Sequence, residues 1–186
     1  MTTKMPPGSI GPTRERAGRF VRLVTHLPAD AIVFADPRVL RLHPTVRRAL
    51  GRRRIVSLAA GEATKSLAAL ERLSKGLHDV PRSATFVVLG GGTLGDAVTV
   101  LAHLHKRGVR LVQVPTTLLA AVDSSIGGKG AVNAGGLKNV LGVFHGATDT
   151  LLCPEFFETL TEAQRREGRL EAWKMVVTLD AATARR

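Results

Sequence analysis

Residues 90–96 read GGGTLGD, and the glycines at 90, 92 and 95 have the G-x-G-x-x-G spacing of a turn that can grip phosphate. Glycine lets the backbone turn with positive φ and lets a diphosphate approach main-chain amides. A helix starting at that point adds unpaired N–H donors and a positive partial charge. The chemistry indicated is dinucleotide binding. No acidic residue stands at 110–114 to hold a ribose hydroxyl, the place about twenty residues on where the fingerprint needs one. The spacing by itself therefore fits a diphosphate site and a merely tight strand-to-helix turn equally. A second candidate is segment 113–139, QVPTTLLAAVDSSIGGKGAVNAGGLKN, which has too many glycines and small polar residues for a core element. It reads as a polar loop carrying Asp123, Lys129, Lys138 and Asn139 near an expected sheet edge. Polar loops of such length are more often functional than structural.

These residues need a scaffold. Apolar runs at 31–35 (AIVFA), 55–58 (IVSL), 84–89 (ATFVVL), 111–114 (LVQV) and 150–153 (TLLC) lack polar alternation and predict strands buried on both faces. Between them, 66–80 carries Leu67, Leu70, Leu73 and Leu77 on one helical face, and 96–107 carries Val100, Leu101 and Leu104. Strand followed by helix, repeated, predicts an α/β fold: a doubly wound, mostly parallel, Rossmann-like sheet. Pro and Gly interrupt residues 1–13, which read as a flexible lead; residues 14–160 read as the nucleotide-binding domain. Thr161 and Gln164 match a capping box, and Leu170, Trp173 and Val177 continue a C-terminal helix over 161–186. The apolar side of that helix needs a partner surface.

The chain of 186 residues is 44% hydrophobic and 23% charged, which excludes disorder and collagen-like structure. Its one cysteine, Cys153, permits no internal disulfide, and the first thirty residues lack the apolar stretch of a signal peptide. With no bilayer-length apolar run, a soluble, cytoplasmic protein without membrane contact is expected. The net charge of +12 raises nucleic acid as a partner, with clusters at Arg14, Arg16, Arg19 and Arg22 and at Arg47, Arg48, Arg52, Arg53 and Arg54. No exposed aromatic series interleaves with them, and tyrosine is absent, so nucleic-acid binding is not the expected role.

Taken together, GGGTLGD and the later blocks PTTLLA, VDSS, GGK, VN and KN closely resemble the NAD-binding half of 3-dehydroquinate synthase and related sugar-phosphate cyclases, over about residues 36–174. The resemblance implies that Asp36, Glu62 and Lys65 contact the adenosine and nicotinamide ends of NAD. By the same likeness Gly91, Gly92, Thr93 and Asp96 surround the pyrophosphate, and Thr116, Thr117 and Leu119 line the cofactor further along. Asp123, Lys129, Lys138 and Asn139 then face the nicotinamide ribose or a phosphorylated sugar, and Asp123, Lys129, Asn139 and Lys174 are the catalytic candidates. Without the family context, Glu62 with Lys65 reads as a solvated ion pair and Asp96 as a helix cap. In such enzymes NAD transiently oxidises a secondary alcohol, phosphate is eliminated, the ketone is reduced back and the opened sugar closes. A divalent metal, usually zinc, polarises the oxygens.

Glu171 is the only residue here that matches a metal ligand of the family, and none of the six histidines follows it. Zinc needs about three protein ligands in a catalytic site, so zinc is not expected in this chain alone. Glu171 with Lys174 reads equally well as a surface i,i+3 pair. Gly130 and Leu137 also depart from the family pattern. The expected function is binding of NAD or another adenine nucleotide without complete cyclase catalysis, in a fold lacking the family's helical metal-binding domain. The alternatives are one half of a split cyclase completed by a helical-domain chain, and a module for another small anionic or planar ligand. Self-association, as a homodimer, is expected through apolar surface at Leu170, Trp173, Met175, Val176 and Val177.

Overall fold

The structure is a computed structural model describing residues 13–179, so residues 1–12 of the expected lead over 1–13, and the last residues of the C-terminal segment, lie outside it. In chain order the strands are β1 (Arg14–Ala17), β2 (Ile32–Ala35), β3 (Arg54–Ser57), β4 (Thr85–Gly90), β5 (Arg110–Pro115), β6 (Lys129–Ala134), β7 (Leu137–Phe144) and β8 (Asp149–Leu152). The helices are α1 (Phe20–Leu23), α2 (Pro37–Leu42), α3 (Pro44–Ala49), α4 (Leu67–Lys75), α5 (Gly92–Leu104), α6 (Leu118–Val122) and α7 (Glu162–Leu179). Six strands form one all-parallel sheet in the order β1-β8-β5-β4-β2-β3, and β6 and β7 form a separate antiparallel hairpin.

The apolar runs make the sheet because every residue of β2 and β4 is buried. Alternate residues feed opposite cores. Phe34, Phe86 and Leu111 join Leu70, Leu94 and Leu101 of α4 and α5, whereas Val33, Val87 and Val112 join Phe20, Leu23 and Val46 of α1 and α3. Phe34 and Phe86 meet edge to face with centroids 4.9 Å apart. The edge strands β1 and β3 carry Arg14, Arg16 and Arg54, charges that oppose edge-to-edge association. After β2 the chain steps to β3 on one side, then crosses back to β4 on the other. The carboxyl ends of β2 and β4 therefore flank the point where winding reverses, and open α/β sheets bind ligands there.

The sequence reading needs four corrections. Helix α4 ends at Lys75 and Leu67 is 48% exposed, so its buried face is built from Ala69 and Leu70 with Leu73, while Leu77 enters the core from the turn that follows the helix. Helix α5 begins at Gly92, four residues before the expected start, and Leu104 is exposed at its far end. The charged run RERA forms β1 because β8 offers a ladder and Asp149 accepts two hydrogen bonds from the Arg14 guanidinium, at 3.0 and 2.8 Å. Segment 113–139 is no loop: it finishes β5, forms α6 and enters the hairpin. The hairpin packs on α5 so tightly that a Cβ at Gly130 would lie 2.6 Å from the Thr99 Cβ and 2.9 Å from the Asp96 carbonyl oxygen. The glycine that departs from the family pattern is thus what lets β6 dock. Among the described residues no helix is long and apolar enough to cross a membrane.

Because backbone lies on one side of this contact, Gly130→Ala cannot be absorbed by a side-chain rotation alone. It should cost about 1–3 kcal/mol, measured as a lowered urea midpoint; an unchanged midpoint contradicts the packing argument.

Candidate functional site

At the end of β2, Asp36 accepts a hydrogen bond from the Arg38 main-chain N–H at 2.8 Å and so caps α2, whose first turn holds Pro37. This fixes one carboxylate oxygen. At the end of β4 the glycines turn the chain into α5, whose N-cap, Gly91, supplies no side-chain hydrogen bond to the first turn. Those amides keep the positive end of the helix open to an anion. Thr117 caps α6 by accepting from the Ala120 N–H at 3.2 Å, and the Thr116 N–H holds the Gly90 carbonyl at 3.0 Å. Asp36, Gly91, Thr116 and Thr117 together line a shallow, solvent-open cleft.

The opposite wall has no counterpart among the candidate ligand-binding residues. It is built from Phe156, Thr159, Leu160 and Gln164, with Arg38 and His43 beside them. The His43 ring stands edge-on to Phe156 at 5.1 Å and its Nε2 lies 3.1 Å from the Thr159 Oγ1. The capping box is present: Gln164 Oε1 accepts from the Thr161 N–H at 3.0 Å, and Thr161 Oγ1 accepts from the Gln164 N–H at 3.3 Å. No periodic pattern marks the 3-10 turn Pro154–Thr159 that delivers Phe156 and Thr159.

A second cluster adjoins the start of α5. The Lys65 ammonium, on a residue only 6% exposed, donates to Asp96 Oδ2 and to Asn139 Oδ1, each at 2.6 Å. Glu62 does not pair with Lys65; its Oε2 accepts from the Asn133 side-chain amide at 2.7 Å. Asp96 likewise caps no helix. Burial pushes its carboxyl above the ordinary range, against the pull of Lys65, and the charge of Asp123 adds to the rise. Thr93, in the first turn of α5, accepts from the Gly61 N–H at 3.3 Å, which ties the segment before Glu62 to the glycine turn.

The remaining candidates spread around these two clusters. Asp123 and Lys129 form a half-exposed ion pair at 3.3 Å. Leu119 is 39% exposed and Lys138 lies exposed on β7, and neither belongs to the cleft wall. Lys174 donates to Glu171 at 2.7 Å, which holds the ammonium above its usual range, and Asp123 adds to that rise. Helix α7 reaches this position because Gly168 lies against α6, where a Cβ would meet the Leu118 Cβ at 2.5 Å. Among the described residues no group of three His, Cys, Asp or Glu gathers that could hold a metal ion.

The family description "3-dehydroquinate synthase N-terminal" matches residues 55–167, more than half of the chain. The chain belongs to the 3-dehydroquinate synthase family. It is 38% identical over 185 residues to 3-dehydroquinate synthase of Bordetella pertussis, covering 94% of this chain and 52% of that protein. It is 44% identical over 125 residues to the Pyrobaculum islandicum 3-dehydroquinate synthase, covering 66% of this chain and 36% of that one. The chain thus spans about half, or less, of the curated relatives it matches. The fold is shared with 2-epi-5-epi-valiolone synthase from Streptomyces hygroscopicus, solved with NAD+ and Zn2+ bound. The TM-score is 0.79 at 24% identity, over 98% of this chain and 57% of that one. The α/β sheet, the glycine turn and the hairpin are therefore those of a dehydroquinate-synthase N-terminal domain.

The folded state holds the Asp96 proton more tightly than an unfolded chain does. That contribution to stability accordingly falls as pH rises from the ordinary carboxylate range to the raised value. Lys65→Met removes the cation opposing the burial, so the Asp96 carboxyl should move further up and the interval should widen toward neutral pH. Carboxyl carbon NMR titration reads this directly, and an unchanged or lower Asp96 value in the variant contradicts the assignment.

Proposed function

We propose that this chain binds NAD, or another adenine nucleotide, in the cleft at the carboxyl ends of β2 and β4. The observation that carries this reading is the uncapped N-terminus of α5, which opens at Gly91 on that cleft. The proposed roles follow from position. Gly91, Gly92 and Thr93 present main-chain amides to the pyrophosphate. Asp36 turns its remaining carboxylate oxygen to the adenosine ribose, and Thr116 and Thr117 border the path between them. Glu62, Lys65, Asp96 and Asn139 hold the nicotinamide end, with Leu119, Lys138 and the Asp123–Lys129 pair at its margin. Bound NAD supplies a hydride acceptor. Lys65, buried and held by Asp96, supplies a fixed ammonium beside it. The thiol of Cys153 takes no part, since burial pushes it up to about 12.

The same reading gives nucleotide binding without complete cyclase turnover by the described residues. Glu171, held by Lys174, is one ligand where a catalytic zinc needs about three. We divide the chain into a nucleotide-binding unit over 14–160 and a helical extension over 161–186, and place it in the cytoplasm. A second arrangement is favoured by α7, where Leu170, Trp173, Val176 and Val177 are exposed beside Glu171 and Lys174. A helical chain seated there would add ligands and cations to Glu171, Lys174, Asp123, Lys129 and Asn139, giving a split dehydroquinate synthase; a second copy there would give a homodimer.

Gly92→Asp tests the nucleotide reading. A Cβ at Gly92 meets the Ser124 Oγ at 3.4 Å, an ordinary contact. A carboxylate in the first turn favours the helix but repels a diphosphate. The variant should keep its thermal midpoint while losing at least about tenfold in NAD affinity by calorimetry; equal affinity sinks the assignment. Sedimentation checks the apolar face of α7: self-association should weaken in Trp173→Glu, and a strictly monomeric parent protein contradicts the homodimer.

A further inference from the structure

We infer that Asn133 is a positioning residue for the nicotinamide-side pair Lys65 and Asn139, an inference that rests on the NAD reading above. Asn133 lies where the hairpin register is broken, between Val132 and Ala134. Such an irregularity frees a residue from the ladder and re-aims its side chain. The polar groups freed in this way find partners on the cofactor side. The Asn133 main-chain N–H donates to the Lys65 carbonyl at 2.7 Å, bridging the hairpin to the start of α4. Its side-chain Nδ2 donates to Glu62 Oε2 at 2.7 Å, and its Oδ1 accepts from the Asn139 main-chain N–H at 2.9 Å.

The two side-chain bonds fix which way the carboxamide faces. A carboxylate on one side demands the NH₂ and a main-chain N–H on the other demands the oxygen, so no flipped amide satisfies both. Asn139 is also constrained, because its φ is +55°, in the left-handed region that side chains enter at a cost. The Asn133 oxygen holds the Asn139 N–H in that conformation. In the same conformation the Asn139 side-chain oxygen accepts from the Lys65 ammonium at 2.6 Å, opposite Asp96. The relay runs from Glu62 through Asn133 and Asn139 to Lys65, and Asn133 itself is not part of the cleft wall. Its role is to keep the Lys65 ammonium aimed while touching no ligand.

The polarity of this relay gives a test that loose packing does not mimic. Asn133→Asp keeps an oxygen for the Asn139 N–H but sets a second carboxylate against Glu62. NAD affinity, relative to the parent protein at each pH, should fall about tenfold at neutral pH. It should recover in mild acid, where the facing carboxylates share a proton. Adding Glu62→Gln reverses the donor and acceptor at that contact, and the double variant should bind NAD within about threefold of Glu62→Gln alone. In the nucleotide-free protein the Asn139 amide should exchange with solvent at least about tenfold faster in Asn133→Ala than in the parent, while circular dichroism stays unchanged. A pH-independent defect, no recovery in the double variant, or equal exchange of the Asn139 amide overturns the inference. If the parent protein takes up no NAD, the cofactor reading falls, and the Asn139 exchange rates still decide whether Asn133 holds that backbone. Should Asn133→Asp fail to fold, the exchange comparison with Asn133→Ala decides the matter in the same way.

Discussion

An ammonium group taken out of water costs several kcal/mol unless oxygen atoms meet it with good geometry. Lys65 imposes that demand on three separate parts of the chain at once. Its own residue precedes α4, Asp96 comes from the first turns of α5, and Asn139 comes from β7. The pair of 2.6 Å hydrogen bonds therefore fixes the hairpin against α5 and the short turn before α4, as well as satisfying a charge. Tight docking of β6 on α5 at Gly130 places Asn139 within reach, and the strained backbone of Asn139 completes the arrangement. Losing Asp96 would leave the buried ammonium without its counter-charge and losing Asn139 would leave it one hydrogen bond short, so the cluster ties the three elements together.

The cleft works on a different principle. Its floor is made of main-chain groups that the glycine turn leaves without side-chain caps, and its far wall comes from Phe156, Thr159 and Gln164 just before and within α7. Fold position alone accounts for its location, because the winding of the sheet reverses between β2 and β4. Thr93 and Gly61 connect it to the Lys65 cluster through one hydrogen bond. The cleft and the Lys65 cluster thus meet at the first turn of α5; the family match over residues 55–167 takes in the Lys65 cluster and the cleft except its Asp36-to-His43 side.

Much of this was legible in the residues. Continuous apolar runs mark β2, β4, β5 and β8 because strands buried in the sheet need no polar alternation; the run at 55–58 marks β3 as well, although that edge strand is only half-buried. The glycine spacing marks the turn after β4, and the Thr161–Gln164 pair marks the start of α7. The hairpin was hidden because its strands owe their place to packing on α5 and to Gly130, and β7 is exposed along nearly its whole length. Strand β1 was hidden because RERA becomes extended only when β8 and Asp149 lie beside it. Asn133 could not be singled out, since its role depends on a break in register that no spacing rule records. Phe156 and Thr159 join the cleft through a 3-10 turn with no periodic signature.

The placement of β1 bears on how the molecule is made. Its Arg14 pairs with Asp149, 135 residues later, and among the described residues β1 pairs in the sheet with β8 alone. During synthesis this charged segment has no ladder to join until β8 has emerged. Closing so long a loop is slow compared with the neighbouring pairings. A waiting strand of apolar residues would be exposed to misassembly meanwhile. The arginines that ruin RERA as an ordinary strand pattern carry the charge that opposes such misassembly, and in the finished sheet the same side chains clasp Asp149.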